Sequence, residues 1–435
     1  MGDNPRHRLL GPAARSVPIT LQIFELHGSC QGGIKAGMAR IPKVILLIES
    51  SRAYGRGLLR GIAKYAHLHG PWMFYSEPEY TQLSGLGTYR FGRGEPLMPS
   101  LEDWKADGII ARIANLEKSR SILPKKVPII AIPTKNKIVG LPHIVSNETK
   151  VSEMAADHLL ARGFTNFGFC GFDEAYWSQI RSQRFCETIA QAGYKTHLFK
   201  YSDRRHKPSW NQELRAIASW LRSAPKPLAV MACNDTRARH VIEACREAGL
   251  RVPEEVAIIG ANNDETVCEL SDPPLSSVAL NTEKAGYEAA ELLDRLMAGE
   301  KMAEQEIVVE PTHVVSRQST DILAIKDEEV TKAISFIRHN IKRPIQVADV
   351  VASTTLSRRA IQKRFHAALR RSILQEIRRV RVQEIIRLLM ETHMSVSEIA
   401  IEMGYPGIEH ISRYFHKATG MSLLAYRKRY SSIRL

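Results

Sequence analysis

The feature that most constrains the fold is a repeat near the C-terminus, within residues 345–427. The pair Phe365-His366 recurs as Phe415-His416, at an offset of 50 residues. A repeat at a fixed spacing indicates one structural unit used twice. Each copy is predicted to contain a short helix, a turn and a second helix. The predicted helices span 347–353 and 357–368 in the first copy, and 396–403 and 407–418 in the second.

Within the second helix of each copy, apolar side chains recur at the spacing of one helix face. This stripe comprises Ile361, Phe365 and Ala368 in the first copy and Ile411, Phe415 and Ala418 in the second. Such a stripe is expected of a helix packed on a small core of its own. A long helix over residues 374–392 is predicted to join the two copies.

The opposite faces of these helices are polar and mostly basic. Side chains of this kind reach base edges and phosphates when a helix lies in the major groove of DNA. The candidate DNA-binding residues are Arg358, Arg359, Gln362, Lys363, Glu409, His410, Ser412, Arg413 and Lys417. Of these, Lys363 and Lys417 are expected to contact phosphate, which positions a protein without reading sequence.

The distribution of charge agrees with this interpretation. Residues 327–435 contain 20 Lys and Arg against 10 Asp and Glu, whereas residues 44–326 contain 35 against 34. Most of the chain's formal charge of +15 is therefore carried by its last quarter. A basic region attached to a neutral body is expected of a module that binds the nucleic-acid backbone.

The second copy of the repeat resembles the DNA-binding domain of the AraC/XylS class of transcription regulators. The resemblance rests on an Ile-Ala pair, Gly404 followed by an aromatic residue, Ser-Arg-x-Phe-x-Lys over 412–417, Gly420 and a final Tyr-Arg. It implies two helix-turn-helix units. The first copy departs from the family pattern, because Thr355 and Arg370 stand where the family usually has Gly.

Upstream of the repeat, apolar strand-like runs alternate with amphipathic helical patterns, which predicts doubly wound parallel sheets. The strand-like runs are 43–49, 72–77, 108–113, 127–133, 166–172, 228–233, 256–262 and 306–311. The helical patterns are 54–69, 148–162, 176–192, 211–222, 236–248 and 283–298.

About 275 residues are too many for one such unit. Two similar lobes are therefore predicted, with the chain crossing between them near 143–147, 272–277 and 311–315.

Two runs in this part, 232–264 and 273–293, resemble the effector domains of the LacI/GalR regulators, which have a periplasmic-binding-protein fold. The runs Asp-x-Arg-Ala-Arg-His at 235–240 and Arg-x-Ser-Thr-Asp at 317–321 add to the likeness. Joined to an AraC-type module, the arrangement resembles regulators of xylose operons. It implies a pentose-binding sensor with D-xylose as the first candidate.

Ligands of such sheets bind beyond the carboxyl ends of the strands. The predicted ligand-binding residues after strands are Tyr54, Arg112, Ser146, Trp177, Arg181, Asn234, Asn262 and Asn263, with Glu49, Ser50, Arg52, Asn147, Asp235 and Asp264 beside them. Amides and charged groups suit hydroxyls, and an aromatic ring suits the C–H face of a sugar. The resemblance singles out Arg181, Asn234 and Asn262, although many relatives have Asp at Asn262. The alternative for Asn and Asp after strands is helix capping.

The expected organisation is a disordered tail over 1–40, a sensor over 41–320, a linker over 321–330 and a DNA-binding domain over 331–435. Met38 directly precedes the first strand and is an alternative translation start. The expected function is a DNA-binding transcription regulator, with an activator favoured by family analogy. Its expected partners are a double-stranded operator, a sugar effector, RNA polymerase and a second copy of the chain.

Two other functions remain open at this point. Gly55-x-Gly57-x-x-x-Gly61 after the first strand, with Glu77 ending the next, imitates a dinucleotide-binding fingerprint and would suit an NAD(P)-dependent oxidoreductase. The second open function is a regulator that binds DNA without any ligand. No nucleophile–base set or metal motif appears, so neither catalysis nor a cofactor or metal is predicted.

Composition restricts the cellular context. No apolar run approaches the ~20 residues of a membrane span, and no secretory signal is visible. The six cysteines form no Cys-x-x-Cys pair, so free thiols in the reducing cytoplasm are expected.

Overall fold

The computed structural model describes residues 40–76, 104–113, 127–133, 139–200, 209–300 and 305–430. The predictions for the tail, Met38, Cys30 and Glu77 fall outside these described residues.

Alternating strands and helices form two lobes upstream of residue 320. The strands are β1 (Lys43–Leu47), β2 (Met73–Ser76), β3 (Gly108–Ile113), β4 (Ile129–Pro133), β5 (His143–Ser146), β6 (Asn166–Cys170), β7 (Thr196–Leu198), β8 (Leu228–Ala232), β9 (Val256–Ala261), β10 (Ser276–Leu280), β11 (Glu306–Val309) and β12 (Pro311–Val315). The helices are α1 (Ala53–His69), α2 (Glu148–Leu160), α3 (Tyr176–Gln191), α4 (Trp210–Ser223), α5 (Asp235–Ala248), α6 (Glu265–Glu269) and α7 (Thr282–Met297).

The two sheets have matching topology. Lobe 1 has the strand order β11-β5-β4-β3-β1-β2, and lobe 2 has the order β12-β10-β9-β8-β6-β7. All pairs are parallel except β10 with β12. The prediction of doubly wound parallel sheets in two lobes is therefore confirmed, and helices α1 and α7 pack on lobe 1 while α2–α6 belong to lobe 2.

Burial on both faces of each sheet explains the long apolar runs in the sequence. In lobe 2, Val230 and Ile258 pack on one face against α4 and α5. Their neighbours Met231 and Ile259 pack on the other face against α2 and α3. The eight predicted strand-like runs are all strands. Sequence patterns missed β5, β7, β10 and β12, which have five residues or fewer.

The chain crosses between the lobes at Asn147, Asn281 and Glu310. The Asn281 N–H donates to the Glu310 carbonyl (3.0 Å), and the Glu310 N–H donates to Asn281 Oδ1 (2.7 Å). Asn147 Nδ2 donates to Glu310 Oε2 (2.9 Å), so the three crossings form one hydrogen-bonded hinge. The predicted crossing at 272–277 is wrong, because β10 beyond it still pairs with β9 and β12 of lobe 2.

The C-terminal part, called the DNA module below, consists of helices over residues 328–430. They are α8 (Glu328–His339), α9 (Val347–Ala352), α10 (Arg358–Leu369), α11 (Ile373–Glu391), α12 (Val396–Glu402), α13 (Ile408–Thr419) and α14 (Leu423–Tyr430). The expected linker boundary at residue 331 falls inside α8. That helix begins three residues earlier because the Asp327 side chain caps it, accepting from the N–H groups of Glu329 and Val330.

Each copy of the repeat has its own small core. Phe365 is fully buried in a cluster with residues of α8 and α11. Phe415 is fully buried in a second cluster with residues of α11 and α12. The predicted apolar stripes are thus confirmed, except that Ala418 is exposed because α13 runs past the end of its core.

Candidate functional site

A cavity of about 540 Å³ lies between the lobes, at the carboxyl ends of β1, β3 and β5 in lobe 1 and of β8 and β9 in lobe 2. Seven of the eight predicted ligand-binding residues line it: Tyr54, Arg112, Ser146, Trp177, Arg181, Asn234 and Asn262. Glu49, Arg52, Asn147 and Glu148 line it as well. The fold therefore brings together side chains that are more than two hundred residues apart in sequence, such as Tyr54 and Asn262.

Arg181 organises the lobe 2 wall of the cavity. Its side chain is almost fully buried and donates from Nε to Glu148 Oε2 (2.5 Å) and from Nη1 to the Cys233 carbonyl (2.5 Å). From Nη2 it donates to Asn262 Oδ1 (3.3 Å). The guanidinium also lies 5.3 Å from the centre of the Trp177 ring. Because the group is fixed on four sides, it holds this wall in one shape.

Asn234 and Asn262 follow two neighbouring strands of lobe 2. Asn234 Oδ1 accepts from the N–H of Arg237 (2.8 Å), so the residue caps α5, as the capping alternative requires. Its amide nitrogen has no protein partner among the described residues and can serve the cavity. Asn262 has φ of +97°, a left-handed conformation that non-glycine residues rarely adopt and that concentrates at functional sites.

Asn263 does not line the cavity, and its prediction as a ligand-binding residue is not supported. Its Oδ1 accepts from Arg317 Nη1 (3.0 Å), and its N–H donates to Ser277 Oγ (3.0 Å). The left-handed turn at Asn262 and Asn263 points the second side chain away from the first. Asn147 lines the cavity, but its amide is taken by the hinge.

The lobe 1 wall carries an exposed charged cluster. Glu49 pairs through Oε2 with Arg112 (3.2 Å) and through Oε1 with Arg52 (3.3 Å). The two arginine side chains are 44% and 45% exposed. Exposed pairs of this kind are weak, about 0–1 kcal/mol each, so this wall can rearrange at low cost.

Tyr54 and Ser146 place two hydroxyl groups on the lobe 1 side of the cavity. Ser146 Oγ donates to Tyr54 Oη (3.2 Å). Burial raises the pKa of Tyr54 to about 12, so its phenol stays protonated at neutral pH. The pair can therefore both donate hydrogen bonds to a ligand and accept them.

The glycines of the dinucleotide-like pattern have a packing role. A Cβ on Gly57 would lie 1.9 Å from Thr282 Oγ1, and one on Gly61 would lie 1.9 Å from the Glu283 carbonyl oxygen. Only glycine allows α1 and α7 to approach this closely. Two of the three glycines of the pattern are thus explained by contact between two helices, and a Cβ on the third, Gly55, would lie 1.6 Å from the Glu49 carbonyl oxygen.

The candidate DNA-binding side chains lie on the exposed faces of α10 and α13. Arg358, Arg359, Gln362, Lys363, Glu409, His410, Arg413 and Lys417 are all exposed, and Ser412 is half-buried. The buried residues of the same helices, Ile361 and Ile411 among them, fix these faces outward. Each helix therefore presents a polar surface that no described part of the chain covers.

The first unit departs from the family pattern at two turns, with different outcomes. Arg370, which ends α10, has φ of +54°, and its counterpart Gly420 after α13 has φ of +72°. The first unit thus keeps the left-handed helix ending without the glycine that adopts it at low cost. Thr355 does not adopt a left-handed conformation, and its N–H donates to Glu329 Oε2 (2.6 Å).

Arg381, in the middle of α11, ties the two units together and was missed in the sequence. It donates to the carbonyls of Ile341 (2.8 Å) and Arg343 in the first unit and of Met403 (2.7 Å) in the second. Its guanidinium also lies 4.7 Å from the Tyr405 ring centre. No pattern distinguishes it from the other arginines of a basic helix, which are normally solvated.

The DNA module contacts both lobes of the sensor. His313 Nε2 lies 2.9 Å from Glu391 Oε1, and Arg371 Nη2 donates to the Ala161 carbonyl (3.0 Å), both joining the module to lobe 2. Lys284 Nζ, on α7 of lobe 1, donates to the carbonyl of Arg429 in α14 (2.6 Å). The module is therefore joined by hydrogen bonds to both lobes of the sensor.

Within the described part of the chain, no helix is long and apolar enough to cross a membrane. Nor does a group of three or more metal-binding side chains occur among those residues.

Comparison with known proteins gives two family matches. Residues 156–320 match a periplasmic binding protein-like domain, and residues 350–429 match a helix-turn-helix domain. The first match lies in the sensor and the second covers the two repeated units.

Single relatives match nearly the whole chain. The xylose operon regulatory protein of Haemophilus influenzae is 29% identical over 393 residues, covering 88% of this chain and 98% of that protein. The protein of the same name from Escherichia coli K12 is 27% identical, covering 90% and 98%.

One solved structure, described as that of the xylose-binding transcription activator xylR, is 26% identical. It covers 91% of this chain and 100% of that chain with a TM-score of 0.55. This chain is a DNA-binding transcription regulator that contains a periplasmic binding protein-like domain and a helix-turn-helix domain, and it is similar along most of its length to the xylose operon regulatory proteins.

Proposed function

We propose that this chain is a transcription activator that responds to a pentose, with D-xylose as its effector, and controls genes of pentose catabolism. The main support is one observation: seven predicted side chains from both lobes line a single cavity at the carboxyl ends of the strands. The similarity to proteins named xylose operon regulatory protein supports the choice of sugar.

The chemistry of the cavity suits an uncharged polyhydroxylated ligand. Hydroxyl groups need both donors and acceptors, which the amides of Asn234 and Asn262 and the hydroxyls of Tyr54 and Ser146 supply. Trp177 offers a flat apolar surface for the C–H face of a sugar ring. Contacts from both lobes favour the closed arrangement, so the sugar stabilises closure.

A thermal-shift panel with D-xylose, L-arabinose, D-ribose and D-glucose tests the effector. A ligand at one hundred times its Kd stabilises the folded protein by about 2.7 kcal/mol, which raises Tm by several degrees. We expect the largest rise with D-xylose. If no sugar raises Tm, the chain is a ligand-independent regulator, and NAD(P)H fluorescence on titration would instead indicate the oxidoreductase.

The proposed DNA partner is a double-stranded operator read by α10 and α13 in successive major grooves about 34 Å apart. Arg358, Arg359 and Gln362 are the proposed base contacts of α10, and Glu409, His410 and Arg413 those of α13, with Ser412 and the lysines 363 and 417 assisting. A base contact by Arg is worth about 1–3 kcal/mol of discrimination.

Arg359→Ala and Arg413→Ala test these contacts by gel shift on specific and scrambled DNA. We expect the preference for the specific site to fall about tenfold for each variant. Arg215→Ala, an exposed arginine of α4 in the sensor, is the matched control and should leave it unchanged. If a variant binds both DNAs more weakly by the same factor, the residue contacts phosphate and not a base.

Activation further requires a homodimer and RNA polymerase as partners. The dimer interface is proposed on the sensor, so that closure changes the spacing of two DNA modules. Analytical ultracentrifugation with and without D-xylose tests the dimer. In vitro transcription with purified RNA polymerase tests activation, and a fall in transcript on adding sugar would instead make the chain a repressor.

The contact of His313 with Glu391 is the proposed route from sensor to module, since His313 lies three residues beyond the hinge residue Glu310. His313→Ala should leave the sugar-induced Tm rise intact. It should reduce the effect of sugar on DNA affinity about fivefold, the lower end of common allosteric couplings. His197→Ala, an exposed histidine of β7, is the control. An unchanged sugar effect on DNA binding in His313→Ala would exclude this route.

A further inference from the structure

The three consecutive residues after β9 face three different parts of the protein. Asn262 lines the cavity. Asn263 is held by Arg317 and Ser277 within lobe 2. Asp264, the residue before α6, does not line the cavity but reaches across to lobe 1. The chain thus places a contact between the lobes two residues from a cavity residue.

The carboxylate of Asp264 makes two hydrogen bonds to the start of α1. Oδ2 accepts from the N–H of Ala53 (2.9 Å), and Oδ1 accepts from Arg56 Nη2 (2.7 Å). Asp264 is 6% exposed and the Arg56 side chain is 32% exposed, so this charged contact is partly shielded from water. Shielded, charge-assisted hydrogen bonds are stronger than exposed ion pairs such as those of Glu49.

Helix α1 has no capping side chain or acidic residue of its own at its N-terminus, and Asp264 supplies a carboxylate there. Its N-cap residue, Arg52, makes no capping hydrogen bond with its side chain, and its first turn contains no acidic residue. The first N–H groups of a helix have no partner within the helix and favour a nearby negative charge. A carboxylate from lobe 2 therefore completes the start of a 17-residue helix in lobe 1.

Both residues of this contact also make hydrogen bonds within their own lobes. The N–H of Asp264 donates to Asp235 Oδ2 (2.7 Å), and Asp235 Oδ1 accepts from Ser277 Oγ (2.5 Å) deep in lobe 2. On the other side, Arg56 Nη1 donates to the carbonyl of Ser51 (2.8 Å). Because the Asp264 backbone and the Arg56 side chain are already fixed by these bonds, less freedom is lost when the contact forms, which increases its net effect.

We propose that Asp264 is an interlobe latch: a positioning residue that favours the closed sensor and sets the effector concentration at which the regulator responds, without touching the effector. This inference rests on the proposed function, because it assigns a role in closure around a ligand. Since an effector selects the closed state, its apparent Kd equals the intrinsic Kd divided by the closed fraction. Opening the latch therefore weakens binding at a distance from the cavity.

Asp264→Ala tests the latch, with Asp173→Ala as the control because Asp173 is an exposed aspartate of the same lobe. We expect the Kd for D-xylose, measured by calorimetry, to rise about tenfold in Asp264→Ala. The change in DNA affinity at saturating sugar should equal that of the unmodified chain. Asp173→Ala should match the unmodified chain throughout. An unchanged Kd in Asp264→Ala overturns the proposal.

A second variant and a ligand-free measurement keep the test independent of folding and of effector identity. Arg56→Met removes the partner in lobe 1 and should raise the Kd by a similar factor, with no further rise in the double variant. Small-angle scattering without sugar should give a larger radius of gyration for both variants. If no sugar binds the unmodified chain, the proposed function fails, and this radius alone decides the latch: equal radii overturn it.

Discussion

The two walls of the cavity differ in how firmly they are built. On lobe 2, Arg181 and Asn234 are buried and fixed by hydrogen bonds to neighbouring strands and helices. On lobe 1, Arg52 and Arg112 are nearly half exposed, and both pair with Glu49. A preformed wall loses little conformational freedom when a ligand binds, whereas an exposed one must be ordered first.

This difference assigns the two lobes different parts in the response. Lobe 2 presents a surface whose shape exists before the sugar arrives, so most of the affinity should depend on it. Lobe 1 adds contacts that form on closure, so its side chains should affect mainly the fraction of closed sensor. Substitutions on the two walls should therefore differ in how much they weaken sugar binding, in how much they lower stability, and in how far salt changes their effect.

The largest expected effect comes from Arg181→Met. This variant removes the group that fixes Glu148, Cys233 and Asn262, and it leaves the Glu148 carboxylate poorly exposed without its partner. Breaking a buried ion pair costs about 3–5 kcal/mol. We expect sugar binding to be lost in calorimetry and Tm to fall. Retained binding with a Kd within a factor of about two would contradict a preformed lobe 2 wall.

A double variant separates stability from binding. Arg181→Met combined with Glu148→Gln removes the unpaired charge and should recover much of the lost stability. Sugar binding should not return, because the lobe 2 wall still lacks its organising group. If binding returns with stability, Arg181 acts only on folding.

A smaller effect is expected from Asp235, which lies beneath the lobe 2 wall and braces Asp264. Burial raises the pKa of Asp235 from 3.8 to about 7. The folded state thus binds a proton more tightly than the unfolded chain. The stability from this group is fully present below pH about 4 and is lost as pH rises towards about 7.

Asp235→Asn imitates the protonated side chain and should remove that part of the pH dependence. The measurement is the difference in unfolding free energy between the two proteins, from urea titrations across this pH range. Taking this difference removes the contributions that other buried groups make to the pH dependence. His158 is one such group: burial lowers its pKa, so its contribution has the opposite sign. A difference that does not change with pH would mean that the pKa of Asp235 is the same in the folded and unfolded protein.

Sequence patterns were sufficient for the features that depend on local periodicity. Apolar runs gave eight strands because burial on both faces of a parallel sheet requires them. The spacing of Phe365 and Phe415 predicted both helices α10 and α13, because each helix has its own core. Polar residues after strands gave seven cavity residues, because parallel strands bring their carboxyl ends to one edge.

The remaining features depend on contacts that no local pattern encodes. Asn263 follows Asn262 directly, yet two left-handed residues turn it out of the cavity. Arg381 resembles every other arginine of a basic helix, and only the fold shows the carbonyl groups that surround it. The glycines of α1 imitated a phosphate loop, because close helix packing and phosphate approach both exclude a Cβ.

The smallest expected effect comes from Arg112→Ala on lobe 1. The exposed pair with Glu49 is worth about 0–1 kcal/mol, so the Kd for D-xylose should rise less than about fivefold, with Tm unchanged. Arg239→Ala is a matched control, since Arg239 is 42% exposed and pairs with Glu243 away from the cavity.

Salt distinguishes the two walls most clearly. High salt screens exposed charges but hardly affects buried ones. The difference between Arg112→Ala and the unmodified chain should therefore vanish in about 1 M salt, where the Debye length is about 3 Å. The loss of binding in Arg181→Met should persist there. An Arg112 effect that survives high salt would mean that its guanidinium contacts the sugar in a site closed to water. Lobe 1 would then share in recognition as well as in closure.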